Sequence, residues 1–160
     1  MRLGVVSDTH GHVVNTLAAV RMLESLNVDA VVHCGDIGGP AIPPLFSAWP
    51  THFVFGNCDD DEAELKTAIQ MASQLCHNRF GDITIGERRI ALVHSDDPQR
   101  FRTAIEGGDF DLVCYGHTHK AEQHRKGRTL VLNPGALYRA TPHSLAIVDL
   151  KTLEATIVPV

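Results

Sequence analysis

Residues 3–10 read LGVVSDTH, a short apolar run that ends in a cluster of polar residues. Runs of this length with β-branched residues are typical of buried strands, and here the polar cluster begins where the strand would end. The same order recurs along the chain. Polar clusters with metal-binding side chains directly follow five apolar runs, at residues 7–10, 34–36, 56–59, 94 and 116–119. The sequence therefore predicts strands whose carboxyl ends carry chemically active loops.

Helical patterns separate the early strands. A spacing of three to four residues predicts a first helix from Val14, Leu17, Ala18, Met22 and Leu26, capped by Asn15 or the preceding loop. A second helix is predicted from Leu65, Ala68, Ile69, Ala72 and Leu75, behind an acidic first turn. A third is expected over 98–106, whereas the prolines of 40–50 leave room only for a short helix.

From Phe80 onward the strands follow one another, with hairpin signals at Gly86-Glu87 and Lys126-Gly127. Alternation of strands and helices followed by consecutive strands predicts an α/β fold in which two mixed sheets pack together with helices outside. The length of 160 residues, with no linker-like segment, predicts one domain over 1–160.

Composition excludes several classes of protein. A formal net charge of −5 disfavours a stable complex with nucleic acid, whose phosphates require basic surfaces. No apolar run is long enough to cross a membrane or to form a signal-peptide core, which predicts a cytoplasmic protein. The four cysteines contain no CxxC pair and are interpreted as reduced thiols. Histidine is abundant, with ten residues, and imidazole is the commonest metal ligand.

The carboxyl ends of parallel strands meet at one crevice, so the five polar loops are expected to converge. In order, the motifs are Asp-x-His at 8–10, Gly-Asp at 35–36, Gly-Asn-Cys-Asp at 56–59, His94, and Gly-His-Thr-His at 116–119. This ordered set resembles the signature of calcineurin-like metallophosphoesterases over nearly the whole chain. The GNCD form is most similar to the small prokaryotic phosphodiesterase branch. The resemblance implies the metallophosphoesterase β-sandwich, with layers in the order αββα.

The resemblance also implies a centre with two divalent metal ions. One ion would be bound by Asp8, His10 and His119. The other would be bound by Asn57, His94 and His117, with Asp36 bridging both. Oxygen and nitrogen donors of this kind suit Mn²⁺, the preferred assignment, or Fe, Zn²⁺, Co²⁺, Ni²⁺ or Mg²⁺. A hydroxide held between two such ions would attack a phosphoester in line.

The catalytic candidates are Asp36, Asn57, Cys58 and His94. Many relatives carry a proton-donating His where this chain has Cys58. A thiol with an ordinary pKa near about 8.5 is a poor general acid at neutral pH, which favours diesters over monoesters. The expected partner is a small phosphoester substrate, and homo-oligomerisation is left open. The alternative is a non-catalytic protein-interaction scaffold on the same fold, as in a retromer subunit that resembles this family.

Several residues near these motifs have competing interpretations. His12 either lines the entrance of the site or caps the first helix, and His33 is expected to be a hydrogen-bonded core residue. Asp96 and Asp97 would either repel a second anionic group on the substrate or pair with Arg100 or Arg102. The turn at 133–135 is either a plain turn or a support for the site.

Overall fold

Eleven strands form two mixed sheets in the computed structural model, which describes residues 1–160. The first, six-stranded sheet has the order β11-β10-β1-β2-β3-β4. Its strands are β1 Arg2–Val6, β2 Ala30–His33, β3 Thr51–Phe53, β4 Leu75–Cys76, β10 Ser144–Asp149 and β11 Glu154–Pro159. The second, five-stranded sheet has the order β5-β6-β7-β9-β8. Its strands are β5 Phe80–Ile85, β6 Arg88–Val93, β7 Leu112–Cys114, β8 Ala121–Lys126 and β9 Thr129–Pro134.

Three α-helices and one short 3-10 helix accompany the sheets. They are α1 Val13–Ser25, the 3-10 helix Pro43–Phe46, α2 Glu62–Met71 and α3 Pro98–Glu106. Each α-helix begins at a side chain that accepts a backbone N–H of its first turn, namely His12, Asp61 and Asp97. None of the helices is both long enough and apolar enough to cross a bilayer.

The core has three layers of apolar contacts. Leu3 and Val32 of the first sheet pack against Ile90 and Leu112 of the second, which fills the space between the sheets. α1, the 3-10 helix and α2 cover the outer face of the first sheet, where Phe46 and Phe53 are fully buried. α3 covers the outer face of the second sheet. The α/β sandwich with αββα layers expected from the sequence is therefore confirmed.

The buried face of α1 differs from the sequence prediction. Thr16, Ala19, Val20 and Leu23 are buried, whereas Val14 is 72% exposed and Leu17 is 37% exposed. This helix is apolar on most sides, so periodicity alone selects the wrong stripe. Burial of Thr16 is possible because its hydroxyl donates to the carbonyl of His12 one turn earlier.

The end of α2 and two strands also depart from expectation. α2 ends at Met71, and Leu75 lies in β4 rather than on the helix, because Ser73 adopts a positive φ of 58° that breaks the helical path. β4, which has two residues, was not predicted from the sequence. The hairpin predicted at Lys126-Gly127 is present and β8 is its first arm, but the bounds of β8 were not predicted, because its residues AEQHRK are all exposed and give no apolar alternation.

Candidate metal centre

The five polar loops converge at one edge of the two sheets. β1, β2 and β3 run parallel to one another, as do β6 and β7 in the second sheet, so their carboxyl ends point the same way. Asp8 follows β1, Asp36 follows β2, and His94 directly follows β6. Side chains that are far apart in sequence are thereby gathered above the seam between the sheets.

The backbone of these loops is held in an uncommon conformation. Positive φ angles occur at five of the predicted ligands, which are Asp8, His10, Asp36, His117 and His119. Non-glycine residues rarely adopt this region, and such strain is concentrated at functional sites. The surrounding fold therefore holds these side chains in fixed directions.

Each of the two buried carboxylates has one oxygen held by hydrogen bonds and the other facing the centre. Asp8 Oδ2 accepts the Ser7 hydroxyl and the backbone N–H of His117. Asp36 Oδ1 accepts the backbone N–H of Cys58 at 2.9 Å. The remaining oxygens, Asp8 Oδ1 and Asp36 Oδ2, face the histidines. This leaves one oxygen of each carboxylate available to a cation.

Histidine Nε2 atoms complete the cluster. His119 Nε2 lies 3.1 Å from Asp8 Oδ1. Asp36 Oδ2 lies 3.4 Å from His10 Nε2 and 3.3 Å from His94 Nε2. His94 Nδ1 lies 2.8 Å from the carbonyl oxygen of Cys34. When the Nδ1–H group donates a hydrogen bond to that oxygen, Nε2 carries the free electron pair that can bind a cation. The carbonyl oxygen of Arg139 lies 3.4 Å from His119 Nδ1 and orients that ring in the same way.

Three buried polar atoms of this cluster have no hydrogen-bond partner: Asp8 Oδ1, His10 Nε2 and His94 Nε2. An unsatisfied buried group costs about 1–3 kcal/mol, so three in one place require a common explanation. The carboxylate and imidazole atoms of Asp8, His10 and His119 lie within 4.8 Å of one another, as do those of Asp8, Asp36 and His94. Carboxylate oxygen and imidazole nitrogen are ligands for divalent metal ions, so the residues present fit such ions.

Electrostatics within the cluster keep the Asp36 carboxylate ionised. Burial raises the pKa of Asp36, but the adjacent His94 ring and the Cys58 N–H outweigh it and hold that pKa well below its usual range. Burial lowers the pKa of His94, yet the Asp36 and Asp8 carboxylates raise it overall. The centre thus carries carboxylate charge that attracts cations.

Asn57, Cys58 and His117 occupy the exposed side of the centre. The Asn57 amide nitrogen donates to Cys58 Sγ at 3.4 Å, which leaves its amide oxygen without a partner. The His117 ring lies 5.1 Å from the His94 ring, measured between centroids. Cys58 Sγ falls in a group with His10 and Asp36 whose ligand atoms lie within 4.8 Å of one another. Burial and the neighbouring carboxylates raise the pKa of Cys58 to about 11.

The role of Asp59, which is 2% exposed, was not predicted from the sequence. Its carboxylate accepts the backbone N–H groups of Ile37, Gly38 and Gly56 and so ties the loop after β2 to the loop after β3. The final Asp of the GNCD motif was the available signal. Asp59 contacts backbone rather than the ligand atoms, so it acts by positioning both loops.

The structure distinguishes between the competing interpretations of several neighbours. His12 caps α1 by accepting the N–H of Asn15, and His33 is a buried residue bonded to Thr9 Oγ1 at 2.9 Å. Burial, aided by the nearby His94, lowers the pKa of His33 to about 3, so it stays neutral. Asn133 donates to the Gly116 carbonyl and to Thr118, which supports the loop that carries His117 and His119.

The two acidic residues after His94 are already engaged. Asp97 caps α3 through the N–H of Arg100 and also lies 3.8 Å from that guanidinium, as one of the two interpretations expected. Asp96 pairs instead with Arg79 at 3.3 Å, and not with either of the two expected arginines. Both carboxylates are therefore partly neutralised, which weakens the expectation that they repel an anionic substrate.

Comparison with known proteins gives a consistent result. Residues 1–153 match the model of the calcineurin-like phosphoesterase superfamily domain. The chain is 29% identical over 138 residues to a phosphodiesterase of Methanocaldococcus jannaschii, covering 84% of this chain and 83% of that protein. The structure of an archaeal phosphodiesterase superposes with a TM-score of 0.92 at 26% identity, covering all of both chains. Zinc-bound Vps29 of Entamoeba histolytica shares the fold, with a TM-score of 0.69 at 22% identity and coverage of 98% and 90%.

Proposed function

The chain belongs to the calcineurin-like phosphoesterase superfamily, and from this premise we propose that it hydrolyses phosphodiesters at a centre of two divalent metal ions. It is a metal-dependent phosphoesterase. The observation that carries the proposal is the convergence of three buried, unpartnered ligand atoms on Asp8, His10 and His94. One cation bound by Asp8 and His10 and a second bound by His94 would satisfy all three atoms.

The proposed ligand sets follow the sequence prediction. Asp8, His10 and His119 hold one ion, and Asn57, His94 and His117 hold the other. Asp36 Oδ2 lies between His10 and His94 and would serve both ions. When bound, two divalent ions activate water as a nucleophile at neutral pH and withdraw charge from the phosphoryl oxygens. Mn²⁺ is the proposed metal, and it is among the divalent ions that oxygen and nitrogen donors of this kind suit.

The residues of the chain contribute orientation and charge. Backbone contacts to Cys34 and Arg139 fix the rings of His94 and His119 with Nε2 facing inward. Asp8 and Asp36 supply two negative charges, fewer than two divalent ions carry, so the loaded centre attracts phosphate despite the net charge of −5. The strained loops hold these groups in place before the substrate arrives.

Preference for diesters is inferred from the residue at position 58. The Cys58 thiol lies beside His10 and Asp36, where a proton donor to the leaving group would be placed. A thiol with an ordinary pKa near about 8.5 is a weak proton donor at neutral pH, so esters whose leaving group departs unaided are favoured. The M. jannaschii relative and the archaeal protein with the similar structure are both described as phosphodiesterases, which supports a diester substrate.

The scaffold function remains the alternative, and it rests on the fold shared with Vps29. A scaffold has no need for the complete set of seven candidate ligands that this chain retains. Hydrolysis separates the two functions.

The test uses protein stripped of metal and then supplied with Mn²⁺. We expect hydrolysis of bis(p-nitrophenyl) phosphate to vanish on chelation, to return with Mn²⁺, and to exceed hydrolysis of p-nitrophenyl phosphate in kcat/KM. Activity that survives exhaustive chelation, or a preference for the monoester, would contradict the proposal. Hydrolysis of neither ester with any divalent metal would favour the scaffold.

Substitution of Cys58 gives a further prediction. Cys58→Ala should leave turnover of nitrophenyl diesters nearly unchanged, because nitrophenolate leaves without a proton. Cys58→His should raise turnover of alkyl-leaving-group esters by up to about 10²–10⁴-fold, the range of general acid catalysis. The measurement is the ratio of alkyl-ester to nitrophenyl-ester turnover in wild type and both variants. An unchanged ratio in Cys58→His would show that position 58 does not reach the leaving group.

A further inference from the structure

A cleft of about 550 Å³ opens directly beside the metal centre, between α3 and β8. Its inner end is formed by Ser95, His117 and Thr118, so the cleft and the centre share the proposed ligand His117. Its volume falls within the range of about 300–1,000 Å³ that is typical of small-molecule sites. A group attached to a phosphate at the centre could extend directly into this space.

The floor of the cleft is aromatic. Phe101 of α3 and Tyr115 after β7 pack together with ring centroids 4.5 Å apart, and Ile105 extends the apolar surface. Tyr115 is buried and its hydroxyl donates to Glu122, which fixes the ring. Phe101 is only half-buried and lines the cleft, so part of its ring is available to a ligand.

The rim is polar but balanced in charge. β8 contributes Glu122, His124 and Lys126, three alternate residues on one side of an exposed edge strand. α3 contributes Arg102 and Glu106. Two cations and two carboxylates cancel formally, and none of the four takes part in an ion pair. A rim of this kind suits a neutral group with hydrogen-bonding edges better than a second phosphate.

We propose that this cleft, named here the α3–β8 cleft, binds a flat, neutral aromatic group of the diester, of the nucleobase type, stacked on Phe101. The proposal rests on the proposed function, since it assigns a place to one ester group of the substrate. Stacking on an exposed aromatic face depends little on which base is bound, and it is a common means of binding unpaired bases.

The position of Cys58 indicates which ester group enters the cleft. Cys58 lies against His10 and Asp36, whereas the cleft opens beside His117. With the leaving group on the Cys58 side, the group that stays on the phosphate occupies the α3–β8 cleft. Preference between substrates should therefore depend on the retained group.

Two substrates with the same leaving group test this assignment. Thymidine 5′-(p-nitrophenyl phosphate) and methyl p-nitrophenyl phosphate both release nitrophenolate, and only the retained group differs. We expect wild type to favour the thymidine ester in kcat/KM, and Phe101→Leu to reduce that preference about tenfold. Phe80→Leu is the matched control, because Phe80 packs in the same apolar cluster but does not line the cleft. An equal preference in wild type and Phe101→Leu would overturn the assignment.

A binding measurement separates failure of the cleft from failure of the proposed function. Adenosine, which has no phosphate, is titrated into Zn²⁺-loaded protein, since Zn²⁺ does not broaden NMR signals. We expect amide shifts concentrated at 101–105 and 122–126 that are lost in Phe101→Leu. Shifts there without diester hydrolysis would support the cleft and contradict the function. Hydrolysis without such shifts and without a Phe101 effect would contradict the cleft alone.

Discussion

Asp36→Asn should lower kcat/KM on bis(p-nitrophenyl) phosphate by more than the roughly 10–100-fold typical of substitutions outside the ligand shell. Asp36 Oδ2 lies within 3.4 Å of the Nε2 atoms of both His10 and His94. The substitution removes a charge that both proposed ions share, so metal content should fall along with activity. His119→Ala or Asn57→Ala removes a ligand from one ion and should cost less. Steady-state kinetics and elemental analysis of the purified variants provide the measurement.

Asp82→Asn is the matched control for this experiment. Asp82 is an exposed carboxylate of β5 that pairs with Arg89 and is not one of the proposed ligands. Exposed ion pairs contribute about 0–1 kcal/mol, so this variant should keep its metal and its activity. Full metal content and unchanged turnover in Asp36→Asn would show that the bridging assignment is wrong.

Gly56→Ala should reduce activity about 100-fold without removing any proposed ligand. A Cβ at position 56 would lie 2.1 Å from Asp36 Oδ1, 2.5 Å from the Asp36 backbone nitrogen and 2.8 Å from His94 Cδ2. The backbone contact cannot be relieved by rotating a side chain, so Asp36 must shift. A displacement of about 1 Å at a reacting centre can cost about 10²-fold in rate, and overpacking costs about 1–3 kcal/mol of stability.

Gly39→Ala provides the comparison, because a Cβ at position 39 meets nothing within 4 Å. Both variants are assayed for turnover and for the midpoint of chemical denaturation. Gly39→Ala should match wild type in both. Wild-type turnover in Gly56→Ala would mean that the position of Asp36 does not matter for the reaction.

Much of the site could be predicted because its residues follow strands directly. Asp8, Asp36 and His94 come at the ends of apolar runs, and parallel strands bring such ends together. The position of α3 was predicted correctly, since Asp97-Pro98 is a strong helix start with a capping carboxylate and a proline in the first turn. Ordered motifs combined with strand periodicity thus located the carboxyl-end crevice.

Other features depend on tertiary contacts that no local pattern reveals. The buried stripe of α1 was misjudged because its exposed residues, such as Val14, are also apolar. Asp59 resembled one more acidic residue beside Asp60 and Asp61, and only the fold brings the N–H groups of Ile37 and Gly38 to it. The α3–β8 cleft depends on β8, a strand with no apolar alternation.

The number of metal ions bound per chain tests the central claim most directly. Metal-free protein is titrated with Mn²⁺ by isothermal calorimetry while diester hydrolysis is followed in parallel samples. The account predicts two ions per chain, with activity rising as the second site fills, and loss of this stoichiometry in Asp36→Asn. Full activity with one ion per chain, or with none, would contradict it.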